Sequence, residues 1–206
     1  AIQSVGKIPV NVKTLGTVLL SLSAHKYNGP KGVGALWLKR GVRLSTVQTG
    51  GRHERNRRAG TENVPGLVGL GVASELAKAK LAETKQEFSA LRDLLEKGIL
   101  QSVSDTAING QQNQRVPNTS NISFAGVEAE SLLIALDLEG VAVSTGSACS
   151  SGTLEPSHVL RAMGLPSNRV QSSIRFSLGT GNTQADVDHL VNILPTIVGR
   201  LRTLSS

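Results

Sequence analysis

The stretch from Leu67 to Leu100 most restricts how this chain can fold. Apolar residues recur there at three- or four-residue steps over part of the span, and charged residues fill the gaps between them. These apolar residues are Leu76, Phe88, Leu91, Leu95 and Ile99. Such spacing predicts a long amphipathic helix. Because the sequence pattern differs on its two sides, the helix is also predicted to link two domains.

Two short apolar runs precede the helix, one from Thr17 to His25 and the other from Gly32 to Arg40. Both have the composition of β-strands, and the glycines and Pro30 between them predict a hairpin or another tight connection. The runs are apolar enough for strands buried on both faces, as in the centre of a parallel-type sheet. Two such strands do not form a stable sheet alone, so we expect either a companion chain that completes the sheet or a large apolar surface around residues 1–40 that a dimer mate or a crystal neighbour covers.

Helices and strands alternate after about residue 75, which predicts a compact α+β domain. Strands are predicted in SNISFAG, at the start of VAVSTGSACSSG and in SSIRFSLG. Helices are predicted in EAESLLIALDLEG, EPSHVLRAMG and TQADVDHLVNILPTIVGRLRTL. Thr183 and Asp186 fit a capping box at the start of the last helix.

The basic character of the chain raises the question of nucleic-acid binding, because the net charge is +7 and the pI about 10.0. The basic residues form a block only in GRHERNRRAG, and the aromatic residues that would stack on bases make up 2% of the chain. A cationic pocket for a small anion explains this block equally well. We therefore expect no direct contact with nucleic acid.

Membrane association is not expected from the sequence either. No apolar run is long enough to cross a bilayer, and the segment AIQSVGKIPV lacks the pattern of a signal peptide. The single cysteine excludes an internal disulfide and a cysteine-based metal cluster. We therefore expect no metal site in the isolated chain.

Lys26 is the first candidate for chemistry, because it stands between the end of an apolar run and a glycine loop. A lysine held there close to a ligand is partly desolvated, and desolvation exposes the amine as a nucleophile. Ser23 and His25 flank it and could donate to a phosphate. The alternative interpretation of the same residues is a solvated lysine at a strand end.

Cys149 is the second candidate, within the segment STGSACSSG. The serines, threonine and glycines around it make a poor core and predict a mobile, exposed loop, in which a thiol can ionise and react. The alternative is an inert core cysteine.

Two further segments carry polar groups suited to anions. The segment from Gly50 to Asn63, GGRHERNRRAGTEN, is typical of an anion-binding turn with the Thr61 hydroxyl as a donor, or else of a solvated basic loop. Arg175, in a predicted strand, could bind a carboxylate through its planar fork or form a surface ion pair.

These segments resemble, in the same order, those of the NifS/IscS-like cysteine desulfurases of the class V aminotransferase superfamily. SLSAHKYNGPKGVGAL resembles their pyridoxal phosphate (PLP) lysine segment, and GGRHERNRRAGTEN their Arg-x-Gly-Thr segment. VSTGSACSSGTLEPSHVLRAMG resembles their cysteine loop, and SSIRFSLG the strand with their substrate arginine. The resemblance extends over essentially all 206 residues.

The resemblance implies a role for each candidate residue. Lys26 would form the Schiff base with PLP and transfer the α-proton of L-cysteine. The cofactor contacts would be Gln3, Ser23, His25 and Thr61, of which Thr61 would reach the phosphate bound by a homodimer mate. Arg175 would bind the substrate carboxylate. Cys149 would take the substrate sulfur as a persulfide while alanine leaves.

The resemblance also implies partners and a location. The sulfur would pass to an iron–sulfur scaffold or to a sulfur-carrier protein for tRNA thiolation, and Cys149 would act as a transient iron–sulfur ligand with a scaffold. The protein would be cytoplasmic if bacterial and in the mitochondrial matrix if eukaryotic. The family's N-terminal half, with the aspartate that pairs with the pyridine nitrogen, is absent from this sequence. We therefore expect the chain alone to be a poor PLP binder that needs that half.

The fold implied by the resemblance is α/β: the C-terminal portion of a PLP-dependent transferase (fold type I) large domain, followed by a small α+β C-terminal domain. Residues 1–66 would be the tail of the large domain, 67–100 the linking helix and 101–206 the small domain. Two alternatives remain at this point. One is another PLP–lysine enzyme, such as a selenocysteine lyase or an aminotransferase, and the other is a catalytically silent binding fragment of a desulfurase.

Overall fold

The computed structural model describes residues 1–145 and 157–204, and it shows a mixed α/β chain. The strands are β1 (Leu19–Ser23), β2 (Gly34–Leu38), β3 (Thr106–Ile108), β4 (Thr119–Phe124) and β5 (Ser173–Ser177). The helices are α1 (Val64–Ala79), α2 (Leu81–Ser102), α3 (Ala129–Leu138), α4 (His158–Ala162), α5 (Ser167–Gln171) and α6 (Gln184–Leu204). The chain divides into two compact units, Ala1–Lys85 and Gln86–Ser206. This division falls inside the segment 67–100 that was predicted to link two domains.

The first unit contains the predicted hairpin, which the structure confirms. β1 and β2 pair antiparallel, with Leu19 opposite Leu38 and Ser23 opposite Gly34. A side chain at Gly34 would meet the Leu22 carbonyl oxygen at 2.5 Å from its Cβ, so the pairing requires glycine there. The expectation of parallel-type strands buried on both faces is wrong for this pair, because a short connection joins the strands and most of their residues are exposed or half-buried.

The apolar surface expected around residues 1–40 is present in the structure. Its large apolar side chains, each at least 39% exposed, are Ile2, Leu15, Val18, Leu19 and Leu36. Leu19 and Leu36 lie on the two-stranded ribbon, which has no second layer of its own to cover them.

The single long helix predicted between Leu67 and Leu100 is corrected to two helices. α1 ends at Ala79 and is capped by Lys80, whose N–H donates to the Leu76 carbonyl. The Lys80 carbonyl then accepts a hydrogen bond from the Thr84 N–H of α2 at 2.9 Å. The apolar pattern changes at the same place. Leu76 is 57% exposed, whereas Phe88, Leu95 and Ile99 on α2 are buried. The predicted stripe therefore belongs to α2 alone.

The second unit is built on a three-stranded antiparallel sheet in the order β3-β4-β5. One face of this sheet is apolar, with Ile122, Phe124, Ile174 and Phe176 almost completely buried. Phe124 and Phe176 meet edge to face, with ring centroids 6.4 Å apart. Helices α2, α3 and α6 supply the rest of this core, which includes Ile99, Leu132 and Leu194. The α+β architecture predicted for this part of the chain is confirmed.

Two details of that prediction are corrected. The strand expected at the start of VAVSTGSACSSG is reduced to an isolated bridge between Ser144 and Arg175. Conversely, β3 and α5 are present although neither was predicted. The predicted strands β4 and β5 and the predicted helices α3, α4 and α6 are all observed.

The capping box at the start of α6 is confirmed. The Thr183 N–H donates to Asp186 Oδ2 at 2.7 Å, and the Asp186 N–H donates to Thr183 Oγ1 at 3.4 Å. The bond from the Thr183 backbone holds the pKa of the Asp186 carboxyl below its usual value. The helix then continues through Pro195 to Leu204. Among the described helices, none combines the length and apolar character needed to span a bilayer.

A buried ion pair attaches the connection between β3 and β4 to α2. Glu96 on α2 accepts hydrogen bonds from both terminal guanidinium nitrogens of Arg115, at 2.6 and 2.7 Å. It also accepts one from the Ser120 hydroxyl at 2.6 Å. The Glu96 side chain is 8% exposed and the Arg115 side chain 16%. The hydrogen bonds to Glu96 raise the pKa of Arg115. The pair is therefore a bidentate, water-shielded contact.

Replacing Glu96 by alanine should lower the free energy of unfolding by about 3–5 kcal/mol, because Arg115 would remain buried without its counterion. Asp93→Ala is the matched control on the same helix: its carboxylate pairs with Arg92 at 2.7 Å but is 62% exposed. The loss should be smaller than for Glu96→Ala, because the Asp93 carboxylate is largely solvated and Arg92 keeps its hydrogen bond to the Pro117 carbonyl at 3.1 Å. Urea unfolding of both variants measures the difference. Equal denaturation midpoints would show that the buried pair does not stabilise the fold.

Candidate functional site

Lys26 lies in a 3₁₀ turn, Ala24–Tyr27, that directly follows β1. Because such a turn repeats every three residues, Ala24 and Tyr27 share one side of it, and both are buried, at 0% and 7% exposure. His25 is exposed and Lys26 is half-buried. The turn is therefore held through Ala24 and Tyr27, and Lys26 between them stays half-buried.

The backbone around this turn is fixed by hydrogen bonds and close packing. The Ala24 N–H donates to the Val33 carbonyl at 3.1 Å, and the Gly29 N–H donates to the Ala24 carbonyl at 2.9 Å. A Cβ at Gly29 would lie 2.8 Å from the Ala24 Cβ, so glycine allows the chain to return this closely. Tyr27 packs in a small cluster with Leu70 and other residues of α1. The hairpin and α1 together therefore set the position of Lys26.

A second lysine, Lys7, lies beside the first and was not identified from the sequence. Lys7 is 9% exposed, and its Nζ donates to the Lys26 carbonyl at 3.1 Å. Burial, together with the positive charge of Lys26, lowers the pKa of Lys7. Its neighbour Gly6 has φ +76° and approaches Tyr27, which lets the segment cross the turn closely. Lys7 therefore holds the backbone of the residue that carries the candidate amine.

Ser23 and His25, predicted to flank Lys26, are joined to each other. Ser23 Oγ and His25 Nδ1 lie 2.9 Å apart, and both residues keep surface exposure. Gln3 is exposed in the turns that open the chain. Lys26, Ser23 and His25 therefore share one turn, whereas Gln3 lies in another segment of the same unit.

The basic loop from Gly50 to Asn63 adopts an unusual backbone. Glu54, Arg55 and Asn56 all have positive backbone φ angles, at 47°, 57° and 64°. Residues other than glycine rarely adopt this region. The Thr46 hydroxyl donates to the Asn56 carbonyl at 2.8 Å and so supports this conformation. Backbone strain of this kind is concentrated at functional sites.

A shallow cavity of about 170 Å³ opens in the same loop. Its lining includes hydroxyl, amide and guanidinium donors and two adjacent glycines. These residues are Thr46, Gln48, Thr49, Gly50, Gly51, Arg52 and Asn56. Thr61, the predicted phosphate ligand, is exposed and follows this lining in sequence. The loop therefore offers several donors and a cationic side chain to a small anion.

Arg175 lies on β5, within the second unit, and is half-buried. Its backbone is bonded on both sides: it pairs with Asn121 of β4, and it exchanges two hydrogen bonds with Ser144, at 3.2 and 2.6 Å. Its side-chain Nε is buried and has no hydrogen-bond partner among the residues that the structure describes. The backbone of Arg175 is therefore firmly placed, and its side chain still has a donor to offer.

A polar network next to Arg175 was not found from the sequence. Asn109 Nδ2 donates to Asn121 Oδ1 at 2.6 Å and to Ser173 Oγ at 2.9 Å. Asn109 and Ser173 are buried, at 8% and 0% exposure. The three residues are far apart in the chain, and asparagine and serine are typical of turns, so no local pattern signals their contact.

Cys149 lies outside the described residues, so the structure does not place it beside the other candidates. Over residues 1–145 and 157–204, no three His, Cys, Asp or Glu side chains form a group that could hold a metal ion.

Comparison with known proteins gives one consistent result. A family model described as aminotransferase class-V matches residues 1–190. The chain is 51% identical over 205 residues to Cysteine desulfurase 2 of Trichormus variabilis, which covers 100% of this chain and 51% of that protein. It is 50% identical over 205 residues to Cysteine desulfurase IscS of Dictyoglomus turgidum, with 100% of this chain and 52% of that protein covered. The chain thus spans about half the length of the curated relatives it matches.

Solved structures agree with the sequence relatives. A NifS-like protein superposes with a TM-score of 0.87 at 35% identity, over 98% of this chain and 52% of that one. A NifS-like protein from Rickettsia africae superposes with a TM-score of 0.86 at 32% identity, over 96% of this chain and 52% of that one.

Proposed function

The chain belongs to the aminotransferase class-V family, and from that membership we propose that it forms part of a PLP-dependent cysteine desulfurase. Its structural neighbours are NifS-like enzymes of fold type I, about half of whose length it covers. The proposed reaction converts L-cysteine and the Cys149 thiol into L-alanine and a Cys149 persulfide. The carbon–sulfur bond of the substrate breaks, a sulfur–sulfur bond forms, and a proton replaces sulfur on the carbon.

The presentation of Lys26 is the observation that carries this proposal. Lys26 is half-buried in a 3₁₀ turn held by two buried residues, and the buried Lys7 donates a hydrogen bond to its backbone carbonyl. A solvated lysine at a strand end would need neither the two buried turn residues nor the hydrogen bond from Lys7. An amine placed this way can act as a nucleophile toward an aldehyde and can later move a proton.

The donors in the first unit fit the anionic phosphate and the aldehyde of PLP. Lys26 would hold the cofactor covalently, and Ser23, His25 and Thr61 would supply donors to its polar groups, with Gln3 near the ring hydroxyl. The cationic lining at Arg52 also favours an anion. When bound, PLP draws electrons away from the substrate and makes the substrate sulfur electrophilic.

The chain's own residues account for the remaining steps. Arg175 would bind the substrate carboxylate, which matches its planar fork and its unpartnered Nε. The free Lys26 amine would move the α-proton of the substrate. The Cys149 thiolate would attack the substrate sulfur and keep it as the persulfide.

We further propose the setting in which this reaction works. The protein would be a homodimer in the cytoplasm of a bacterium, or in the mitochondrial matrix of a eukaryote. The persulfide would pass to an iron–sulfur scaffold or a sulfur carrier, with Cys149 as a transient ligand of the cluster being assembled. The names of the desulfurase relatives support the chemistry.

The proposal is tested by supplying L-cysteine and a thiol reductant to the PLP-loaded holoenzyme, with the N-terminal half that the chain is expected to need, and measuring alanine. We expect alanine and released sulfide in equal amounts, because each turnover yields one of each. Transfer of the amino group to a keto acid without sulfide would indicate an aminotransferase. Absence of both products, in a protein that shows the cofactor's visible absorption, would contradict the desulfurase proposal.

Replacing Arg175 by alanine should weaken L-cysteine binding about ten- to a hundredfold. A charge-assisted hydrogen bond contributes about 1.5–3 kcal/mol, and each factor of ten corresponds to about 1.4 kcal/mol. Titration of the bound cofactor's absorption with L-cysteine gives the dissociation constant. An unchanged constant would remove Arg175 from the substrate site.

A further inference from the structure

One face of the second unit's sheet is polar, in contrast to the apolar face that forms the core. The strand register places the side chains of alternate residues of β4 and β5 on this polar sheet face. They are Thr119, Asn121, Ser123, Ser173, Arg175 and Ser177. None of these residues is acidic, and one is cationic. The polar sheet face is therefore suited to a negatively charged group.

The burial of this face changes along the strands. Ser123 and Ser173, opposite each other, are 4% and 0% exposed, and the Arg169 side chain from α5 donates to Ser123 Oγ at 3.1 Å. Asn121 and Arg175, the next opposed pair, are half-buried. This pair therefore lies where the covered part of the face ends and a ligand can approach.

The hydrogen bonds in the covered part have a fixed direction. The Arg169 carbonyl can only accept, so the Ser173 hydroxyl, 2.6 Å away, must donate to it. Ser173 Oγ is then an acceptor for Asn109, which must present its nitrogen at 2.9 Å. The same nitrogen faces Asn121 at 2.6 Å, so the Asn121 atom on that side must be the oxygen. The Arg169 backbone carbonyl thus sets the orientation of the Asn121 amide through a chain of three hydrogen bonds.

The consequence is an oriented donor next to Arg175. Because Asn121 Oδ1 is occupied by Asn109, Asn121 Nδ2 points away from the network. Within residues 1–145 and 157–204 it makes no hydrogen bond, and the Nε of the opposed Arg175 likewise has none. Directly opposed residues on one face have Cβ atoms about 4.5–5.5 Å apart. The Asn121 and Arg175 side chains therefore leave the strands close together on one face, and each has an N–H donor that no described residue accepts.

We propose that Asn121 is a second substrate-binding residue, which donates from Nδ2 to the α-carboxylate of the amino acid that Arg175 also binds. The inference rests on the proposed function, because it names a contact within the same substrate site. A carboxylate accepts up to about four hydrogen bonds through its two oxygens, so the amide and the guanidinium can bind it together. The Asn109–Ser173–Arg169 chain acts through Asn121 and keeps its amide in the donating orientation.

The test measures binding with and without the carboxylate. The PLP-loaded protein is prepared with Cys149→Ser, so that substrate binds without turnover, and is titrated with L-cysteine or with L-cysteine methyl ester. The absorption of the bound cofactor reports occupancy for both ligands. Asn121→Ala should raise the dissociation constant for L-cysteine about ten- to a hundredfold, because a hydrogen bond to a charged group is lost. The constant for the uncharged ester should change little.

A second variant separates the contact from the fold. Asn121→Asp keeps an oxygen to accept from Asn109 but replaces the donor with a negative charge beside the substrate carboxylate. We expect L-cysteine to bind more weakly than to Asn121→Ala, with the ester again little affected. Thr119→Ala is the matched control, one position along the same face of the same strand, and it should bind both ligands as the parent does. Thermal unfolding of each variant checks that the sheet is intact.

The outcomes distinguish this inference from the proposed function. If the parent responds to L-cysteine and both Asn121 variants bind it equally well, the inference is wrong and the function stands. Equal weakening of L-cysteine and the ester would show that Asn121 only shapes the sheet, which also overturns the inference. If the parent itself does not respond to L-cysteine, the proposed function fails and the inference fails with it.

Discussion

Replacing Lys26 by alanine should abolish covalent attachment of PLP to the chain. Borohydride reduction of the wild-type protein fixes the cofactor on the amine that forms the Schiff base, and peptide mapping should find the pyridoxyl mass on Lys26. The reason is the position of Lys26, which is half-buried in the 3₁₀ turn and whose backbone carbonyl accepts a hydrogen bond from Lys7. The Lys26→Ala variant should yield no labelled peptide and should lack the visible absorption of the Schiff base.

Two neighbouring lysines make this test strict. Lys31 lies exposed in the glycine loop that follows, and Lys31→Ala is the matched control, which should be labelled as the wild type is. Lys7 is the more serious competitor, because burial lowers its pKa and so favours the neutral, nucleophilic amine. However, its Nζ is directed to the Lys26 carbonyl. A pyridoxyl mass on Lys7 or Lys31 would refute the assignment.

Replacing Cys149 by serine should eliminate alanine production from L-cysteine while the cofactor's visible absorption is kept. A serine hydroxyl stays protonated near neutral pH and is a poor nucleophile toward sulfur, whereas a thiolate attacks it readily. PLP attachment depends on Lys26 in a different unit of the chain and should not change. Amino-acid analysis of the reaction measures the loss.

Ser151→Ala is a control in the same sequence segment and should retain turnover. In the wild type treated briefly with L-cysteine, mass spectrometry of the peptide with Cys149 should show one additional sulfur atom. If Cys149→Ser still produces alanine at the wild-type rate, the cysteine does not take part in the reaction and the proposed mechanism is wrong.

The elements that could be predicted from the sequence carry their own local signals. The hairpin has glycines and a proline between two apolar runs, and α6 begins with a reciprocal Thr183–Asp186 cap. β4 and β5 alternate buried apolar and polar residues, and so have the period of a strand. In each case the interactions that define the element lie within a few residues of one another, so the sequence is sufficient.

The features that were missed depend on contacts between distant residues. β3 has three residues, too few to show a period, and exists because it pairs with β4. The break at Lys80 follows from a change in which face is buried, with no glycine or proline to mark it. The role of Lys7 arises from a bond to the carbonyl of a residue 19 positions away. Such pairings are properties of the folded chain.

The same reasoning applies to the candidate site. Lys26, Ser23 and His25 are close in sequence, and the structure places them in one turn. Asn109, Asn121 and Ser173 come from three separate segments and meet only when the sheet forms. Motifs therefore predicted the candidate residues, Arg175 included, whereas Asn121 emerged as a candidate only from the hydrogen bonds.

Gly34 has no functional group, yet it stands directly opposite Ser23, where the strand turns toward Lys26. Any side chain at this position would collide with the Leu22 carbonyl and push the two strands apart. The displaced strand would move Lys26 away from the proposed position of the PLP aldehyde. A substitution at Gly34 would therefore displace the candidate amine of Lys26 while every candidate site residue stayed chemically unchanged.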